Sequence, residues 1–199
     1  MRWAFVVAVA IVIHQPAIAQ SAEADKAEVK SSETVPSLPA NIPQATTDIY
    51  LDAEGGKYSS TSIRDLGNAN ALRTTLTIIA SRYNPMWHPR IVIAALTADE
   101  KSGKHLEVVF DAPLGTRFAA EVYEYEGKKY IGSMKFGVQV ELGQSVDISI
   151  DWDEGGTVIA KIGTAQPVRV RLGAPVKTLY MSTSGSEAKY SPFLLAHSN

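Results

Sequence analysis

The clearest structural signal in this chain is Val146-Asp147-Ile148-Ser149-Ile150-Asp151-Trp152, in which every second residue is apolar. Successive side chains of a β-strand point to opposite faces, so the apolar side chains share one face and the Asp and Ser side chains share the other. The stretch therefore predicts a strand with one buried face and one face in solvent. Asp153-Glu154-Gly155-Gly156 then predicts a turn, and residues 157–162 are predicted to return as the neighbouring strand.

The same kind of signal continues outward from this strand, beginning at Asp48. Runs rich in apolar and β-branched residues alternate with turn residues at roughly 8–12-residue spacing, which is typical of an antiparallel sandwich or barrel. The further predicted strands are 73–82, 90–98, 105–112, 117–126, 129–136, 168–172 and 176–183. The run 90–98 is almost continuously apolar, which predicts a strand buried on both faces. Because no segment of this region is convincingly helical, residues 48–199 are predicted to form one all-β domain.

Several segments of the C-terminal half resemble the same half of concanavalin A-like (laminin-G-like) jelly rolls. They are 143–152, Gly156-Thr157-Val158, Ile162-Gly163 and the segment from Pro175-Val176-Lys177 to Ser184-Gly185. The resemblance rests on residues that build the fold. It implies an antiparallel two-sheet sandwich and a bias toward glycan or protein ligands, but it implies no particular activity.

The N-terminal part of the chain has a different composition. Arg2 precedes an apolar run over residues 4–13, and Ala17-Ile18-Ala19 offers a cleavage site, so residues 1–19 are predicted to be a signal peptide. The apolar run is shorter than the roughly 20 residues of a membrane-spanning helix, so we expect no membrane span in the mature chain. Residues 20–47 are rich in Ser, Ala, Glu, Lys and Pro and lack aromatic residues, which predicts a disordered linker. The protein is therefore expected to be periplasmic or secreted.

Charge and composition exclude several classes of protein. The formal net charge is -2, whereas a general nucleic-acid binder carries a clustered excess of Lys and Arg. The sequence contains no cysteine, which excludes disulfides, thiolate catalysis and cysteine-based zinc sites. It also lacks a phosphate-binding or dinucleotide-binding glycine motif and the nucleophile elbow of serine hydrolases. We therefore expect neither a nucleic-acid partner nor a cofactor.

The most unusual stretch is Tyr83-Asn84-Pro85-Met86-Trp87-His88-Pro89-Arg90, in which two prolines predict a loop between strands. Tyr83 and Trp87 would offer flat apolar faces on which a sugar ring or a peptide could stack. His88 and Arg90 would add hydrogen-bond donors. These four side chains are the predicted ligand-binding residues. In the alternative interpretation, Trp87 folds inward and closes one end of the sandwich.

Two groups of acidic residues suggest other chemistry. Glu124 and Glu126 are two apart on a predicted strand and so share a face, as the paired carboxylates of a retaining glycosidase do at about 5–5.5 Å. The alternative is a solvated strand end. Asp151, Asp153 and Glu154 cluster beside glycines as calcium ligands do, but Gly155 stands where a calcium loop has a further acidic ligand, which favours an exposed hairpin turn. The histidines lack zinc-site spacing, and no metal site is predicted.

Three functions remain open. A non-catalytic module of the cell envelope, binding a glycan or another envelope protein, accords best with the resemblance and the linker. A small glycoside hydrolase or lyase would use Glu124 and Glu126. A structural interaction domain would pack against a larger partner through an exposed sheet face, for which the apolar strand 91–96 is suited.

Overall fold

Twelve β-strands, joined by turns and loops, make up the part of this computed structural model that is described, residues 47–97 and 103–197. Within those two ranges there is no helix, and therefore none that could cross a membrane. The predicted signal peptide and all of the predicted linker except Thr47 lie outside the described residues. The strands are β1 Thr47–Asp52, β2 Tyr58–Ile63, β3 Ala71–Ser81, β4 Arg90–Leu96, β5 Lys104–Asp111, β6 Arg117–Glu126, β7 Lys129–Glu141, β8 Ser145–Trp152, β9 Thr157–Ile162, β10 Val168–Arg171, β11 Thr178–Ser184 and β12 Ser186–Ala196.

The strands form two six-stranded antiparallel sheets packed face to face. Sheet I has the order β1-β12-β3-β8-β9-β10, and sheet II has the order β2-β11-β4-β5-β6-β7. Five of the ten neighbouring pairs join strands that are distant in sequence, as when β11 inserts between β2 and β4. The predicted all-β, antiparallel two-sheet sandwich is confirmed.

The core lies between the sheets, and the alternation of β8 shows how it is filled. Ile148, Ile150 and Trp152 are buried, whereas Val146 at the start of the strand is only partly buried. Sheet II contributes the side chains that face them, Phe110 among the largest. Each inward side chain exchanges water for apolar neighbours, which stabilises the fold by roughly 1.5–3 kcal/mol per large residue.

Strand β4 is buried on both faces, as predicted for its apolar run. Ile91 and Ile93 belong to the main core, while Val92, Ala94 and Leu96 form a second cluster on the outer face of sheet II. Tyr123 and Tyr180 pack against that second cluster. The strand therefore has no exposed apolar face, so its burial gives no support to the expectation that residues 91–96 dock a larger partner, which stays a prediction.

Three strands, β1, β2 and β12, lack a clear alternating apolar signal and were not predicted. Strand β12 contains Pro192, which lacks an N–H and normally interrupts a strand. The structure accommodates it at an irregularity, because the register of β12 shifts between Tyr190 and Phe193 against β3. Strand β7 continues past the predicted end at residue 136. It accommodates Gly137, which has a positive φ of 70°, at a second irregularity, where the register of β7 against β6 shifts.

Candidate ligand-binding site

An open depression of about 430 Å³ lies on the outer face of sheet II. Strands β4, β5, β6 and β11 contribute to its lining, and the loop before β4 adds one aromatic side chain. The lining residues used below are Trp87, Arg90, His105, Glu107, Tyr125 and Lys128.

The polar side chains in this depression follow from the pattern that builds the core. On β5, Leu106 and Val108 point into the core, so His105 and Glu107 point to the outer face. Register brings neighbours from other strands beside them, because His105 pairs with Tyr125 of β6 and Glu107 with Tyr123. Strand β4 places Arg90 at the same face.

Glu107 lies between two basic side chains. Its Oε2 is 3.6 Å from Arg90 Nη2, and its Oε1 is 3.6 Å from His105 Nε2. Both distances exceed the 2.7–3.2 Å of an ordinary N–H···O hydrogen bond. The Arg90 guanidinium also lies 5.4 Å from the centroid of the Tyr123 ring, within range of a cation–π contact.

His105 is unusually buried for a polar residue on an outer sheet face. Its side chain is 6% exposed, and its ring stacks on Tyr125 with centroids 5.0 Å apart and an interplanar angle of 12°. Among the described residues its Nδ1 has no hydrogen-bond partner, and the same holds for Arg90 Nε and Asp111 Oδ1. Polar atoms of this outer face are thus removed from water without full compensation, which is costly unless another group satisfies them.

Three tyrosines form a continuous aromatic surface beside His105. The rings of Tyr123, Tyr125 and Tyr130 meet edge to face with centroids 5.8–6.4 Å apart. Burial, together with the nearby charge of Glu121, raises the pKa of the Tyr123 hydroxyl. That hydroxyl therefore remains protonated near neutral pH.

The structure separates the four predicted ligand residues. Trp87 and Arg90 line the depression, whereas Tyr83 and His88 do not. Tyr83 lies against Gly115, and His88 is exposed while its carbonyl accepts a 3.4 Å hydrogen bond from Ser184 Oγ. Trp87 is 52% exposed, so it does not close the end of the sandwich. The ligand-binding role of all four stays a prediction.

A tight turn holds Trp87 at the edge of the depression. The Trp87 N–H donates to the Asn84 carbonyl at 3.0 Å, and the Met86 N–H donates to Asn84 Oδ1 at 2.9 Å. Pro85 occupies the second position of this turn, where its fixed φ is favourable. The aromatic side chain is thus presented by backbone that is already ordered.

Glu124 and Glu126 share a face, as predicted, but it is the inward-facing side of sheet II. Glu124 of β6 pairs with Leu106 of β5, whose side chain lies in the core, and Glu126 pairs with Lys104 at the end of the strand. Neither carboxylate lines the depression on the outer face.

The acidic cluster after β8 forms a hairpin turn. The Thr157 N–H donates to Asp153 Oδ1 at 2.7 Å, which lowers the pKa of the Asp153 carboxyl. Asp151 instead pairs with Arg73 on the outer face of sheet I. Over residues 47–97 and 103–197, no three His, Asp or Glu side chains converge as metal ligands would.

Sequence reasoning missed His105, Glu107 and Tyr125 as site residues. The signal was present in Lys104-His105-Leu106-Glu107-Val108, where polar residues alternate with core residues. Tyr125 required the pairing of β5 with β6, which links residues that the local pattern does not connect.

Comparison with known proteins identifies the fold. No protein-family model matches the sequence, and no curated protein gives a significant match. Solved structures do match. An alginate lyase from Pseudomonas aeruginosa is 14% identical, with a TM-score of 0.51 over 71% of this chain and 74% of that one. The galectin LEC-6 of Caenorhabditis elegans is 13% identical, with a TM-score of 0.50 over 75% and 96%.

The carbohydrate recognition domain of Emp46p, in its potassium-bound form, is 11% identical, with a TM-score of 0.54 over 78% of this chain and 87% of that one. At these identities the likeness concerns the fold alone. The domain has the concanavalin A-like jelly-roll fold, and the resemblance read from residues 143–185 is confirmed.

Proposed function

We propose that this domain binds a glycan in the depression on the outer face of sheet II. The observation that carries the proposal is the combination, in one open site, of an exposed indole with a carboxylate that lies 3.6 Å from each of two basic side chains. Sugars present apolar C–H faces together with hydroxyl groups, so they suit a site with aromatic surfaces and a few directed polar groups.

The contacts assign different roles to the lining residues. Trp87 provides a ring on which a sugar can stack, and its turn is ordered before binding, so little entropy is lost. Arg90 and Glu107 provide a donor and an acceptor 3.6 Å apart. Two of the matching structures are a galectin and a carbohydrate recognition domain, which supports the same class of ligand.

Binding should be detectable on a glycan array and then by calorimetry with the best ligand. We expect Arg90→Ala to weaken binding by roughly 10- to 150-fold, because a hydrogen bond to a charged group contributes roughly 1.5–3 kcal/mol. Trp87→Ala should also weaken binding through loss of the stacking surface. Arg171→Ala is the matched control, since Arg171 is exposed on β10 of sheet I and should leave affinity unchanged.

Two results would contradict the proposal. One is a folded protein that retains no glycan on a broad array. The other is an Arg90→Ala variant that binds its glycan as tightly as the unaltered protein.

The proposal includes export, with a glycan of the cell envelope as the ligand. It is supported by the charged, apolar and small-residue pattern of residues 1–19. Mass spectrometry of the protein from a bacterial host should find a chain that begins at Gln20 outside the cytoplasm. Retention of residues 1–19 on a cytoplasmic protein would count against this part of the proposal.

A further inference from the structure

We infer that the site selects a neutral sugar with hydroxyl groups on two adjacent ring carbons and discriminates against uronates and other anionic sugars. This inference rests on the proposed function, because it specifies which glycans the same depression accepts. It comes from how Glu107 is placed between Arg90 and His105.

Each of the two 3.6 Å nitrogen–oxygen separations at Glu107 is too long for a direct hydrogen bond. Each is short enough for one hydroxyl group to contact both atoms. A hydroxyl group can donate one hydrogen bond and accept another at the same time. One hydroxyl can therefore accept from Arg90 Nη2 and donate to Glu107 Oε2, while a second donates to Oε1 and accepts from His105 Nε2. The two oxygens of one carboxylate are close together, so they match hydroxyls on neighbouring carbons of one ring.

His105 acts as a positioning residue for Glu107. Its ring is held against Tyr125, and its Nδ1 is buried without a partner, so a proton there would be unsatisfied. The proton therefore belongs on Nε2, which faces Glu107 Oε1. With Arg90 beside the other oxygen, each oxygen of the Glu107 carboxylate faces one nitrogen donor.

The carboxylate of Glu107 opposes an anionic sugar at this face. Arg90 is already opposite one carboxylate, Glu107, and pairs in register with a second acidic residue, Asp111. A uronate that approached Arg90 would therefore meet the Glu107 carboxylate at close range, and like charges at such distances repel. Lys128 also lines the depression, but it is exposed, so solvent and salt screen its charge.

The test uses the full protein and matched tetrasaccharides, oligogalactoside against oligogalacturonide and oligoglucoside against oligoglucuronide. Calorimetry should show at least about tenfold tighter binding of the neutral member in the pair that binds best. A neutral tetrasaccharide that lacks either hydroxyl of the recognised pair should lose affinity by a similar factor.

Glu107→Gln should weaken binding of the neutral ligand and reduce the discrimination against the uronate, because it removes the negative charge of the side chain and keeps its shape. Glu121→Gln is the control, since Glu121 lies on the same sheet but does not line the depression. Equal or tighter binding of the uronate by the unaltered protein overturns the inference and leaves glycan binding intact. Binding of no oligosaccharide of either kind, together with an empty glycan array, overturns both.

Discussion

Gly156→Ala should abolish stable folding, with a loss of more than about 4 kcal/mol in the free energy of unfolding. A Cβ at this position would lie 2.3 Å from the carbonyl oxygen and 2.4 Å from the nitrogen of Ala174, which are backbone atoms. The backbone there is held in place, because the Leu172 N–H donates to the Gly156 carbonyl at 2.7 Å. Gly156 also has a φ of 77°, which adds about 1–2 kcal/mol of strain for Ala.

Gly143→Ala is the matched control for this prediction. Gly143 has a φ of 78°, but nothing lies within 4 Å of a Cβ built on it. It should therefore cost only the backbone strain, about 1–2 kcal/mol. Urea denaturation followed by circular dichroism measures both variants. Equal losses of stability would show that the close approach to Ala174 does not matter.

Phe110→Ala should lower the free energy of unfolding by about 3–5 kcal/mol. Phe110 is completely buried on the inner face of β5, where sheet II meets sheet I. Truncation removes most of a large apolar side chain and leaves a cavity that the rigid sheets fill only in part. The same strand carries His105 and Glu107 on its outer face, so its packing also holds the proposed site in position.

Phe136→Ala provides the comparison, since Phe136 packs against the core from edge strand β7 and is only partly buried. Phe136→Ala makes the same chemical change but removes less buried apolar surface. It should therefore lower the free energy of unfolding clearly less than Phe110→Ala does. The two variants are compared by their denaturation midpoints at a constant slope against denaturant. If Phe136→Ala were as destabilising, the placement of Phe110 in the centre of the core would be wrong.

Local pattern predicted the strands best where one face is buried. Strand β8 was predicted with its bounds almost unchanged, because Ile148 and Ile150 alternate with polar residues. Strands β2 and β12 lacked that signal, since Tyr58-Ser59-Ser60-Thr61-Ser62-Ile63 is largely polar and β12 contains a proline. Their strand state depends on pairing with β11 and with β1 and β3, which a local window does not include.

The residues of the candidate site also divide into those that a local sequence pattern indicates and those that depend on tertiary contacts. The 83–90 loop pointed to Trp87 and Arg90, because prolines and exposed aromatic residues are visible in a short window. His105, Glu107 and Tyr125 come from β5 and β6, and they looked like ordinary polar positions on strands. Their significance arises from contacts with each other and with Arg90 across the sheet.

Period-two alternation is a property of the extended backbone, so the chain itself specifies which side chains of a strand share a face, and hence the sandwich class and most of the core. This alternation does not specify the order of the strands in each sheet. Strand β11 lies beside β4 although about ninety residues separate Ser182 from its partner Val92, and β4 lies beside β5. That order results from the free energy of packing both complete sheets, and it is what brings Arg90, Glu107 and His105 into one site.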